Sequence, residues 1–163
     1  MGAEATIALT SVDDPSDYGV VATDEGGRVL GFVEKPPREE APTNWINAGT
    51  YVLEPSVLDR VDDGRRVSIE RETFPRMVAD GSLWAVPSDA YWADAGTPAT
   101  YLQVQLDLID GLRGPPVAGV SAGAAVSDDA VVDHSIVMDG ASVEAGATVR
   151  HSAVLPGATV SAG

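Results

Sequence analysis

Apolar and polar residues alternate in short runs over roughly the first two thirds of the chain, with turn-forming residues between the runs. "ATIALTSV" (residues 5–12) reads as a strand. "YGVVATD" and "RVLGFVE" flank Gly26 and Gly27, the pattern of a hairpin joined through a glycine pair. "WINAGTYVLE" is a further strand, and Pro55 opens a short helix through Arg60, because proline suits the first helical position. Ser68 caps another helix, with Glu70 and Glu72 in the first turn near the positive end of its dipole. Pro75 predicts a break or restart near Phe74. "SLWAVPS" and "AYWADAG" read as a strand and a strand end. Thr97 caps and Pro98 opens the clearest helix, with Leu102, Leu106 and Ile109 on one face and Gly111 just past its end. This alternation predicts an α/β layer structure over residues 1–114, followed by a linker at 115–124 that begins in "RGPPVAG".

From residue 125 to 163 the period changes to six. Counting from Val131, the first position holds Val131, Val137, Val143, Val149 and Leu155, all branched and apolar. Four residues later stand Ser135, Ala141, Ala147, Ala153 and Thr159, all small. A helix repeats every 3.6 residues and a flat strand every two, so neither gives this pattern. A parallel β-helix does, with the large residue pointing inward and the small one in a tight corner. His134 and His151 fall at different positions of the six-residue unit and read as surface residues of the repeat.

Composition narrows the partners. Twenty-five acidic against ten basic residues give a net charge of −15, which opposes nucleic-acid phosphates and anionic lipid surfaces. An anionic ligand would therefore rest on a few local positive charges and backbone N–H groups. The absence of cysteine excludes disulfides and thiolate metal sites and fits a cytoplasmic location. No apolar run approaches the ~20 residues of a membrane-spanning helix. Lys35, in "RVLGFVEKPP", is the single lysine beside nine arginines. It stands where an apolar strand meets Pro36 and Pro37, a compact flexible ammonium in a chain that otherwise uses guanidinium.

Five segments in order, "DDPSDYGVV", "GFVEKPP", "INAGTYVLEP", "SIERETFP" and "YWADAGTPATYL", closely resemble the second half of the sugar-1-phosphate nucleotidyltransferases. The nearest branch is the mannose-1-phosphate guanylyltransferases. The resemblance implies part of a Rossmann-like domain, a mixed sheet with helices, followed by a short left-handed β-helix of hexapeptide repeats. It also implies nucleotidyl transfer, GTP and mannose 1-phosphate favoured, giving the nucleotide sugar and pyrophosphate. By resemblance Glu34 accepts hydrogen bonds from sugar hydroxyls, Lys35 neutralises the phosphate, and Gly19 lets the backbone approach the sugar ring. Asn47 would hydrogen-bond sugar hydroxyls, and Asp94 would be one of two aspartates holding Mg²⁺. Such chemistry asks for groups that gather and balance phosphate charge.

Each of these residues also has a local reading. Lys35 is a solvated strand-exit charge, Glu34 its surface partner, Asp94 a turn residue bonding its own backbone, and Asn47 a bulge or turn residue. The family's glycine-rich triphosphate loop and its other metal aspartate have no counterpart before Ala5. The expectation is thus a chain that carries the sugar-phosphate half, is inactive alone, and works as a homo-oligomer or with a complementing chain. Two other functions stay open. One is a non-catalytic regulatory or assembly subunit that binds sugar nucleotide or a partner. The other is a hexapeptide acyltransferase using a histidine as general base.

Overall fold

The computed structural model describes residues 2–162. Strands β1 (Ala5–Ser11), β2 (Gly19–Thr23), β3 (Val29–Glu34), β4 (Trp45–Leu53) and β5 (Leu83–Pro87) form one sheet in the order β3-β2-β4-β1-β5. Only the β1–β5 pair is parallel, so the sheet is mixed. The expected hairpin is β2–β3. Asp24 Oδ1 closes its turn by accepting from Gly26 N and Arg28 N, both at 2.9 Å. Gly27 adopts φ +87°, and a Cβ there would lie 2.9 Å from Ala85 O. Glycine is needed because this turn packs against β5, with Ala85 N donating to Gly27 O at 2.8 Å.

The helix expected from Pro55 is a 3₁₀ helix, Pro55–Arg60. Around Pro75 the chain resolves the predicted break in an instructive way. Ser68 Oγ accepts from Arg71 N at 3.3 Å and opens a π-helical turn, Ile69–Thr73, which runs into helix α1 (Phe74–Asp80). Pro75 then sits in the first turn of α1, where its missing N–H costs nothing. Gly81, at φ +69°, ends that helix in the left-handed conformation. Ile7, Leu9, Val21, Val29, Val57, Met77 and Leu83 bury one face of the sheet around Phe74. Phe74 meets Phe32 and Tyr51 with ring centroids 5.6 and 5.2 Å apart.

"AYWADAG" does not continue as a strand: the β1–β5 ladder ends where Ser88 N donates to Leu9 O at 3.0 Å, and residues 90–96 carry no strand. Side chains anchor this segment instead. Trp92 Nε1 donates to Ala48 O at 3.0 Å, and its ring meets Tyr18 edge-on.

The chain divides into two compact units, Met1–Trp92 and Ala93–Gly163. The division falls ahead of helix α2 (Pro98–Ile109) rather than at residue 114, so α2 belongs with the repeats. Thr97 and Thr100 form the capping box that starts α2. The repeats stack as three short parallel sheets. These are β12 (Thr159–Val160) with β9 (Ser142–Val143) and β6 (Ala125–Val126), β10 (Thr148–Arg150) with β7 (Val131–Asp133), and β11 (Ala153–Val154) with β8 (Ile136–Val137). Stacking already begins inside the expected linker, where Val120 bridges to Val137.

The period differs from the expectation. Stacked partners such as Val132 and Val149, or Val137 and Val154, are 17 residues apart, one fewer than three hexads. One side of each turn holds five residues, "DHSIV" and "RHSAV", so a strict six-residue count slips there. Val131 and Leu155, expected inside, are 46 % and 51 % exposed, and Val132 and Val154 take the inward places. Ser152 and Ala158 likewise replace Ala153 and Thr159 at the small corner positions, each 17 residues from Ser135 or Ala141. The same slip brings the two histidines to equivalent positions. Their ring centroids are 5.0 Å apart, both residues have positive φ (+39° and +43°), and His134 Nε2 is hydrogen-bonded to Asp110 Oδ1 at 3.0 Å.

The corrected register is testable by urea unfolding. Val154→Asp should cost about 3 kcal/mol or more by burying an unpaired carboxylate. Leu155→Asp should stay within about 0.5 kcal/mol. Equal losses would restore the six-residue count.

Candidate functional site

Strand register assembles the first part of the site. Gly19 on β2 is opposite Glu34 on β3, and Val20 is opposite Ile46 on β4. The antiparallel register that pairs Val20 with Ile46 carries Gly19 to the level of Asn47, which in turn is opposite Leu9 on β1. Glu34, Gly19 and Asn47 therefore form one row across three neighbouring strands, and residues opposite one another share a face. Gly19 leaves a gap in the middle of that row. A Cβ there would lie 2.7 Å from Phe32 Cζ and 3.1 Å from Glu34 Oε2, so the Glu34 side chain leans over the glycine into the vacant space. Its Oε2 is buried and has no hydrogen-bond partner. An unpartnered buried carboxylate oxygen is costly, and a ligand O–H or N–H would relieve it.

Lys35 follows directly. Its φ is +52°, in the left-handed region, and its N–H donates to Tyr18 O at 2.9 Å. That conformation costs about 1–2 kcal/mol in a residue with a Cβ, and a following proline disfavours it further. Such strain persists where the surroundings impose it, characteristically at ligand sites. Its side chain is exposed beside the buried ring of Pro36.

A second group of side chains stands at the Asn47 end of the row. Asn47 Nδ2 donates to Tyr51 Oη at 2.7 Å and to Glu70 Oε1 at 2.8 Å, and Asn47 Oδ1 accepts from Gly49 N at 2.9 Å. The last bond is the local turn interaction that the sequence allowed. Tyr51 Oη also donates to Glu70 Oε1 at 3.4 Å. Burial pushes the Tyr51 phenol above its ordinary pKa, and the charges of Glu70 and Glu34 add to the rise against the lowering effect of Asn47. Glu70 was legible only as a first-turn helix charge. The π turn that aims it is marked by a five-residue step between Ile69 and Phe74, which both face the core. Such turns are frequent at functional sites. Glu72, whose carboxylate accepts from Arg65 Nη2 at 2.7 Å and Ser68 N at 3.3 Å, fastens the same turn. Those bonds, Arg65 first, hold its carboxyl below its ordinary pKa.

Asp94 opens the second unit. It is exposed, and its Oδ1 accepts from Gly96 N at 3.0 Å, a turn of the local kind. Among the described residues no three His, Cys, Asp or Glu side chains gather as a metal cage. Mg²⁺ is commonly bound through one or two carboxylates with waters and substrate phosphates, so Asp94 fits as one ligand of that kind.

The packing over Gly19 yields a prediction. Gly19→Ala should destabilise the chain by about 1–3 kcal/mol, because the new methyl meets the Phe32 ring and the Glu34 carboxylate. Thermal unfolding checks this, and an unchanged Tm would contradict the close fit.

Residues 1–111 match the family model described as nucleotidyl transferase. A mannose-1-phosphate guanylyltransferase of Mycobacterium tuberculosis is 42 % identical over 139 residues, which are 80 % of this chain and 38 % of that protein. Mannose-1-phosphate guanylyltransferase 1 of Arabidopsis thaliana is 42 % identical over 135 residues, 82 % of this chain and 37 % of that protein. The catalytic subunit beta of the Drosophila melanogaster mannose-1-phosphate guanylyltransferase is 39 % identical over 132 residues, 81 % of this chain and 35 % of that protein. The chain thus spans less than two fifths of the length of these relatives. A solved Bacillus anthracis structure, described as a glucose-1-phosphate thymidylyltransferase, shares the fold with a TM-score of 0.56 at 21 % identity, covering 72 % of this chain and 46 % of its own. The chain belongs to the nucleotidyl transferase family.

Proposed function

We propose that the first unit binds a sugar 1-phosphate, mannose 1-phosphate before others, for transfer of a guanylyl group from GTP with release of pyrophosphate. The observation that carries this is the buried, unpartnered Oε2 of Glu34 above Gly19, followed at once by the strained Lys35. The relatives, named as mannose-1-phosphate guanylyltransferases, support the choice of base and sugar.

Glu34 receives sugar hydroxyls, and the absent side chain of Gly19 gives the ring room to approach. Lys35 balances the phosphate as a mobile point charge in a chain whose net charge of −15 otherwise repels it. A phosphate oxygen of the sugar attacks the α-phosphorus of the nucleotide in line, and pyrophosphate leaves. By the family resemblance alone, Asp94 would be a Mg²⁺ ligand, and such an ion supplies charge neutralisation in phosphoryl transfer. The repeats are read as a left-handed hexapeptide β-helix that serves assembly of copies of the chain. Their parallel stacking supports the β-helix part of this reading, and the name "catalytic subunit beta" of the Drosophila relative describes a protein that works in an assembly.

Calorimetric titration with mannose 1-phosphate tests the proposal. The chain should bind it, and Lys35→Ala should weaken binding about tenfold or more while leaving the circular dichroism spectrum unchanged. Failure of the unsubstituted chain to bind, or equal binding by Lys35→Ala, would contradict it.

A further inference from the structure

Asn47 is buried at 8 % exposure, and its donors are engaged inside the fold. An amide nitrogen carries two N–H bonds. One goes to Tyr51 Oη and the other to Glu70 Oε1, while the amide oxygen already accepts from Gly49 N. The amide therefore has no hydrogen left to give a sugar oxygen.

Glu70 is in the opposite condition. A carboxylate offers about four acceptor positions. Asn47 and Tyr51 both address Oε1, and among the described residues no donor is bonded to Oε2 and no cation is paired with the group. Among the described residues Glu34 is likewise paired with no cation and presents its own unpartnered oxygen. Two carboxylates with open lone pairs thus act on one phenol, and that phenol stays protonated because burial and both charges oppose its ionisation. Such a pair lacks hydrogen-bond donors, and a sugar face with free hydroxyls supplies them.

Resting on the sugar-phosphate reading above, we propose that Glu70 is a specificity-determining acceptor of sugar hydroxyls beside Glu34. Asn47 and Tyr51 are positioning residues that aim its carboxylate.

The test compares mannose 1-phosphate with inorganic phosphate, titrated into the full chain and its Lys35→Ala, Glu70→Gln, Asn47→Ala and doubly substituted Asn47→Ala/Glu70→Gln forms. Glu70→Gln should weaken mannose 1-phosphate about 10- to 100-fold and leave inorganic phosphate within about twofold. Asn47→Ala should weaken mannose 1-phosphate about tenfold or more in the unsubstituted background. In the Glu70→Gln background it should add less than about twofold, because it acts through Glu70. Tyr51→Phe keeps the ring against Phe74 and should show the same dependence on Glu70, which holds the test open if Asn47→Ala does not fold. Multiplying effects of Asn47→Ala and Glu70→Gln, or Glu70→Gln binding like the unsubstituted chain, would overturn this assignment. If Lys35 is still required, the site itself stands. Absence of mannose 1-phosphate binding, or binding indifferent to Lys35, would overturn the site and this assignment together.

Discussion

The vacant space above Gly19 governs the geometry of the site in the first unit. A sheet row normally presents a side chain from every strand, and three adjacent side chains would fill the surface between β3 and β4. Removing the middle one lets Phe32 and Glu34 lean over β2, so that one carboxylate oxygen of Glu34 is packed away from solvent. The fold thereby holds a charged group where it has no internal partner. Such a group is tolerated at a cost of about 1–3 kcal/mol per unmet bond, which hydrophobic packing around Phe74 offsets elsewhere in the unit.

Electrostatics makes the position of Lys35 intelligible. Glu34 and Glu70 both act on the Tyr51 phenol, within a chain of net charge −15. A phosphate approaching such a site needs a nearby cation, and the strand delivers the only lysine to its end in a left-handed conformation. On the proposed reading, carboxylate acceptors for hydroxyls lie on one side of that strand exit and a cation for the phosphate stands at it. This is the division of labour expected for a neutral sugar carrying an anionic group.

Much of the chain ahead of the repeats was legible in the sequence because its signals are local. The glycine pair of the hairpin, the prolines at helix starts, and the Ser68 and Thr97 caps each act within a few residues, and each lies where it was expected. The row of Glu34, Gly19 and Asn47 was legible only through motifs, since strand register is a non-local property. The role of Glu70 was hidden because a π turn has no distinct composition and differs from an α-turn by one residue. In the repeats a six-residue count exceeds the 17-residue stacking period by one residue per turn. The five-residue sides hold a serine between histidine and an apolar residue, and in an Ala- and Val-rich stretch the neighbouring residues fit a hexad equally well. "AYWADAG" does not form a strand, and the Trp92 ring holds it instead through a bond to Ala48 O and an edge-on contact with Tyr18.

The central claim is that the row across β3, β2 and β4 is a sugar-phosphate site. The most direct measurement is a two-dimensional ¹H–¹⁵N spectrum of the labelled chain during addition of mannose 1-phosphate. The largest shifts should fall on the amides of Gly19, Glu34, Lys35, Gly49 and Tyr51. Shifts confined to the repeats, or none at saturating ligand, would contradict it.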